Sequence, residues 1–199
     1  MLFPCEYTSR EDSNFSETNN LIRNFKKGVD RRNYGEWRYK ERAINSIANS
    51  FHDSLGFIDS DVTFIPIPPS KAKNDPLYDD RLSKMLRSIK SEHPLDVRDL
   101  IIQIESTEAA HDRDDRPNPD QIKELYKIDE DLTDPTPKMI AVVDDVLTTG
   151  AHFKASKLLL SNRFSDVSII GLFVARRVFV DNVINDFEEI EESGQDHSR

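Results

Sequence analysis

Two adjacent carboxylates, Asp144 and Asp145, are followed after two apolar residues by Thr148, Thr149 and Gly150, and then by Ala151 and His152. Hydroxyls, a glycine turn and the free N–H groups of a following helix are what a phosphate ester needs from a protein. Carboxylates one step earlier can accept hydrogen bonds from sugar hydroxyls or hold hydrated Mg²⁺. Residues of these types at this spacing can recognise a phosphorylated sugar. The plainer reading is an ordinary buried strand that ends in an acidic turn. The context outweighs it, because a strand-like run precedes the pair and a helix-like run follows the turn.

Those flanking runs must do the positioning. Ile140, Ala141, Val142 and Val143 make a short apolar strand, and residues 153–162 read as a helix. Upstream, Val62-Thr-Phe-Ile-Pro-Ile-Pro-Pro69 reads as a strand that meets prolines at its C-terminal end. These forbid a normal central-strand continuation and force a defined loop, which carries Ser70, Lys71, Ala72 and Lys73. Pro68-Pro69 can supply a cis peptide there at low cost. Leu82, Met85, Leu86 and Ile89 recur at helical spacing within 78–90 and are core contacts. Residues 97–104 form an apolar run expected to be one strand. Residues 105–121 are a polar loop with two prolines, and long polar loops in compact domains are often lids. A strand-like run, Leu125 to Ile128, follows it; residues 129–137 read as an acidic linker. Residues 167–175 are a further buried strand, with Arg176 and Arg177 at its exit. Strands alternating with helices predict an α/β fold with a parallel sheet, whose ligands sit at the C-terminal strand ends. Residues 68–73, 144–152 and 176–177 all fall at such ends, so one cleft can collect them.

Val142-Val143-Asp144-Asp145-Val146-Leu147-Thr148-Thr149-Gly150 resembles the phosphoribosyl-pyrophosphate (PRPP) binding motif of type I phosphoribosyltransferases. The order of elements over roughly residues 20–180 is similar to the competence protein F-like branch of that family, though only the Asp-Asp stretch is specific. That branch usually begins with a cysteine zinc ribbon. Cys5 is the only cysteine here, so no zinc is carried over. The resemblance implies a parallel sheet flanked by helices with a flexible loop over the active site. It implies that Mg²⁺-PRPP binds with its 5′-phosphate on Thr148, Thr149, Gly150, Ala151 and His152. Asp144 and Asp145 would hold the ribose hydroxyls and, through them or directly, the Mg²⁺. Ser70, Lys71, Ala72 and Lys73 would face the pyrophosphate, and His111, Arg113 and Arg116 would belong to the closing loop. Pyrophosphate would leave from C1 as an acceptor takes the phosphoribosyl group. Two letters depart from relatives in this family. Thr148 stands where 6-oxopurine salvage members carry an aspartate, which argues against hypoxanthine or guanine as acceptor. His152 stands where a Thr or Ser is usual, and a histidine can still donate to phosphate.

Composition bounds the rest. A chain of 199 residues with 37% hydrophobic and 32% charged residues accommodates one α/β domain with a sizeable core. We expect a loosely packed leader at 1–19, the phosphoribosyltransferase-like domain at 20–185 and an acidic tail at 186–199. No run reaches the length of a membrane span, and residues 1–10 lack the basic-then-apolar layout of a secretory signal. A cytoplasmic protein is expected, with no membrane partner. The net charge of −10 argues against broad nucleic-acid affinity, and the stretch from Asp181 onward contributes seven acids against one base. Residues 23–42, which read as a basic helix, go the other way. Arg23, Lys26, Lys27, Arg31, Arg32, Arg38, Lys40 and Arg42 are interleaved there with Tyr34, Trp37 and Tyr39. Such a stretch can bind nucleic acid or a protein partner, or can be a solvated face with its aromatics packed inward. A homodimer or a complex with a partner is expected. Two functions of different class therefore stand: an enzyme transferring phosphoribosyl to an unidentified acceptor, and a sensor that binds PRPP or a nucleoside monophosphate.

Overall fold

A computed structural model describes residues 5–8, 14–55, 61–107 and 118–178. The closing-loop residues His111, Arg113 and Arg116, the tail 186–199 and residues 179–185 lie outside them. Among the described residues, seven strands and five α-helices follow one another as β1 (Cys5–Thr8), α1 (Glu17–Phe25), α2 (Trp37–Leu55), β2 (Val62–Pro66), α3 (Arg81–Arg87), β3 (Asp96–Val97), β4 (Ile101–Gln103), α4 (Pro119–Glu124), β5 (Tyr126–Ile128), β6 (Met139–Leu147), α5 (Ala151–Arg163) and β7 (Ser168–Val178). Five strands make a parallel sheet in the order β1-β7-β6-β2-β3. β4 and β5 pair antiparallel in a small second sheet.

The period of two along the strands divides the core between two faces. Val62, Phe64, Ala141, Val143, Leu172 and Val174 join one apolar cluster with α1, α2 and α3. Ile65, Ile67, Ile140, Val142 and Phe173 join another with α5, α4 and the β4-β5 pair. Both faces of β2 and the first half of β6 are therefore covered, as parallel strands require, and all five residues of β2 are buried. Gly171 in β7 is part of this fit: a Cβ there would lie 2.8 Å from the Phe153 ring and 2.9 Å from the Phe173 ring.

Two of the helices, α1 and α4, start where a side chain satisfies their free N–H groups. Ser16 caps α1 through the Asn19 N–H, and Asn118 and Gln121 cap each other at α4 with Pro119 at its first position. Leu82, Met85 and Leu86 are buried on α3 as their spacing predicts.

Four expectations need correction. Cys5–Thr8 is no loose leader but an edge strand, paired with β7 in the register Cys5↔Ala175. Asn19 holds its end by accepting from the Thr8 N–H and donating to the Thr8 carbonyl. The run at 97–104 divides into β3 and β4, in different sheets, because residues 98 and 99 are spent elsewhere. Arg98 bonds Asp96 and the carbonyls of Leu132 and Pro135, and Asp99 takes Ser83 and Arg87. The segment at 129–137 contains a 3₁₀ turn, Glu130–Leu132, and the cis peptide among the described residues is Asp134–Pro135 rather than Pro68–Pro69. The basic stretch at 23–42 is not one helix but spans the end of α1, a 3₁₀ turn at Val29–Arg31 and the start of α2. None of the described helices is long and apolar enough to cross a membrane.

Candidate functional site

In chain order the sheet grows outward from β2 to β3 on one side and from β6 to β7 on the other, so strand order reverses between β2 and β6. A crevice at the C-terminal ends of strands belongs at such a reversal. The structure has a cleft there, of about 410 Å³ counted to its open mouth. Pro66 to Pro69 from the end of β2, Tyr78 to Ser83 at the start of α3, Asp99, Ile101 and Asp144 line it. A smaller, shallow hollow lies against the turn after β6, lined by Asp144, Leu147, Thr148, Gly150, Ala151, His152 and the rings of Phe153 and Phe173. Asp144 is common to both.

The turn is built for close approach of the backbone. Gly150 takes φ +74°, in the left-handed region that favours glycine, and begins α5 by accepting from the Lys154 N–H. Thr148 and Thr149 are exposed, and the Thr149 hydroxyl accepts from the Ala151 N–H at 3.4 Å. The first N–H groups of α5, a helix of 13 residues, thus open toward the strand end that carries Asp144.

The two aspartates diverge. Asp144 follows Ile140 and Val142 toward the α5 side, and its Oδ1 accepts from the Asp145 N–H at 2.8 Å. Asp145 follows Ala141 and Val143 to the opposite face, where it is 5% exposed. There Lys26 Nζ stands 3.0 Å from Oδ1 and Arg81 Nη2 donates to Oδ2 at 2.7 Å. Arg81 also donates to Asp79 at 2.9 Å, and Asp79 takes Lys40 at 2.7 Å. Lys40, though buried, donates further to the carbonyls of Phe25 and Lys27. A chain of five alternating charges therefore runs from Lys26 through Asp145, Arg81 and Asp79 to Lys40.

The electrostatics follow. Burial, and then the charge of Asp145, push the Asp144 carboxyl up to about 7. Burial would push Asp145 up as well, but the Lys26 and Arg81 cations overturn it and hold that carboxyl far below its usual range. Burial disfavours the Arg81 cation, yet Asp145 and Asp79 more than restore it. Lys40 is drawn down by burial against the pull of Asp79.

The other predicted residues are placed less directly. Ser70, Lys71, Ala72 and Lys73 follow the prolines of the cleft but do not line it. The loop is fastened to residues 106–107: the Ser70 carbonyl accepts from the Thr107 N–H at 2.8 Å, and the Ala72 N–H donates to the Ser106 hydroxyl at 3.1 Å. Lys73 stands 3.8 Å from Asp129. The lysine loop thus meets residues 106–107, which in sequence directly precede the segment carrying His111, Arg113 and Arg116. Arg176 pairs with Glu6 on β1. In the basic stretch, Lys26 and Lys40 are drawn into the charge chain. Arg31, Arg32, Arg38 and Arg42 instead lie over the rings of Tyr34, Trp37 and Tyr39.

Arg81, Asp79 and Tyr126, whose phenol oxygen stands 2.8 Å from His152 Nδ1, are the residues that sequence reasoning missed. An arginine after Tyr-Asp-Asp at a helix start carries no signal by itself, and Tyr126 reads only as an aromatic in a short strand. Among the described residues no group of three or more His, Cys, Asp and Glu is arranged to hold a metal ion. In comparison with known proteins, the chain matches no family model and no curated protein sequence.

Proposed function

We propose that the chain binds PRPP with its Mg²⁺ and transfers the phosphoribosyl group to an acceptor, with release of pyrophosphate, in the manner of a type I phosphoribosyltransferase. One observation carries this reading. Asp144, the Thr148-Thr149-Gly150 turn and the N-terminus of α5 meet at the end of the central strand, beside the cleft where the strand order reverses. The 5′-phosphate fits the turn, where Thr148, Thr149 and the N–H groups of Gly150, Ala151 and His152 are the donors. The ribose then lies over Asp144, and the pyrophosphate reaches the Pro66 to Pro69 side of the cleft, toward Lys71 and residues 106–107.

Hard oxygen ligands suit Mg²⁺, and Asp144 with the phosphate oxygens of the substrate supplies them. When bound with the substrate, the metal neutralises charge on the leaving oxygens. The protein's own part is positioning and electrostatics: the turn fixes the sugar, the carboxylate at its hydroxyls favours positive character at C1, and a closing loop excludes water. No activated side-chain nucleophile is needed.

A second reading has its own observation. Asp145 is fully engaged by Lys26 and Arg81, so one of the two motif carboxylates is withheld from the sugar. That favours a PRPP- or nucleotide-sensing module without chemistry, acting through a protein or nucleic-acid partner at residues 23–42. Calorimetry with Mg²⁺ and PRPP tests what both readings share. Binding is expected, weakened at least about tenfold, or ~1.4 kcal/mol, by Asp144→Asn. Failure of the native chain to bind PRPP or any nucleoside monophosphate overturns both. Pyrophosphate release with pooled bases and amines then separates transferase from sensor.

A further inference from the structure

We infer that Tyr126 is a positioning residue that fixes the tautomer of His152, so that His152 meets the ligand's phosphate as a neutral Nε2–H donor. The inference rests on the phosphate reading of the turn after β6 and names a determinant within it.

Tyr126 lies in β5 and is 5% exposed; His152 is the second residue of α5. The phenol oxygen stands 2.8 Å from His152 Nδ1. Two arrangements satisfy that distance. If Nδ1 carries the proton and donates to the phenol oxygen, the phenol's own proton needs another acceptor. The hydroxyl has no second partner among the described residues. A buried hydroxyl left without an acceptor costs about 1–3 kcal/mol. If the phenol donates to Nδ1 instead, the buried hydroxyl is satisfied, and the proton of the neutral ring must sit on Nε2, on the exposed side of the ring.

The surroundings support the second arrangement. Burial, then the charge of Asp144, raise the Tyr126 hydroxyl above its ordinary range, so it keeps the proton it donates. His152 is exposed to the hollow on one side, and the packing around the rest of its ring lowers the imidazole, with Asp145 opposing and Lys26 reinforcing, which favours the neutral ring. His152 also lines the hollow shared with Asp144, Thr148, Gly150 and Ala151. A side chain locked at Nδ1 by a buried partner has one donor left to offer that hollow. Thr or Ser at this position would bring a hydroxyl able to donate or accept; the histidine so held can only donate.

The test is ¹⁵N-resolved histidine NMR on the full chain, with His152 assigned by difference from His152→Ser. The native spectrum should show Nδ1 unprotonated and Nε2 protonated, and Tyr126→Phe should convert this to a tautomer mixture. Ribose 5-phosphate should move the His152 Nε2 resonance. Its affinity should fall about three- to tenfold in Tyr126→Phe, the worth of one neutral hydrogen bond. In the His152→Ser background the same Tyr126→Phe change should have no further effect. A proton on Nδ1 in the native chain overturns the inference, as does an equal loss from Tyr126→Phe in the His152→Ser background. Binding of ribose 5-phosphate with His152 unmoved overturns it too, while leaving the phosphoribosyl reading standing. A native chain that does not bind ribose 5-phosphate overturns both.

Discussion

Asp144 and Asp145 are neighbours of one residue type held in opposite states, and pH separates them. Burial and the charge of Asp145 push the Asp144 carboxyl up to about 7 in the folded chain, against an ordinary value of ~3.9 when unfolded. Between those values the folded chain binds more protons than the unfolded one, so this residue makes stability fall as pH rises through that window. Asp145 is depressed when folded. Its contribution is present above the unfolded value and is lost as pH falls toward its folded one. Asp144→Asn keeps the Oδ1 acceptor for the Asp145 N–H and removes the charge. We therefore expect it to stabilise the fold by roughly 1–3 kcal/mol at pH 8, less at pH 5, in urea unfolding. An unchanged slope between pH 5 and pH 7 would sink the assignment. The same substitution should weaken PRPP binding, a conflict between stability and function common at binding sites. The sequence showed the pair but assigned both carboxylates to one sugar, whereas the structure turns them to opposite faces of β6. Nor did the sequence show which would be neutralised, because that depends on Lys26 and Arg81, brought to β6 from elsewhere in the chain.

At the level of elements, those two cations tie helices to the sheet where apolar contacts run out. Lys26 follows α1, Lys40 sits in α2, Arg81 starts α3, and all three converge by way of Asp145 and Asp79 on the end of β6. Replacing Arg81 by Met should cost about 3 kcal/mol, because it leaves two buried carboxylates with one cation each, and a partly broken buried pair is worse than none. Equilibrium unfolding in urea reads this directly; a loss under ~1 kcal/mol would mean that water relieves the network. Such a tie leaves little trace in one sequence. The helical face of Leu82, Met85 and Leu86 was legible from its spacing, as were the strands at 62–66 and 140–143 from their apolar runs. The division of 97–104 was not, since residues 98 and 99 choose partners at Leu132, Pro135, Ser83 and Arg87 that no local pattern announces.

For the molecule as a whole, the parallel sheet followed from alternation of strands and helices, whereas β1 did not. Its four residues gain their place from pairing with β7 and from Asn19, contacts remote in sequence and local in space. The cleft is a consequence of topology: β2 and β6 send their connections to opposite faces, and the gap between their ends lies open above a core covered on both sides. A ligand seated there touches β2, α3, β6 and α5 at once, so its binding must stabilise all of them together rather than one loop. Mass action sets the size. At a hundred times its dissociation constant a ligand adds about 2.7 kcal/mol, and for a domain of this size each kcal/mol moves the midpoint by ~2–4 °C. Thermal unfolding with Mg²⁺ and saturating PRPP should therefore shift upward by roughly 5–10 °C as a single transition. Ribose without phosphate should give no shift if, as proposed, the turn at Thr148 to Gly150 and the start of α5 take the anion. An equal shift with plain ribose would move the recognition away from that turn, and no shift with PRPP would remove the cleft as its site.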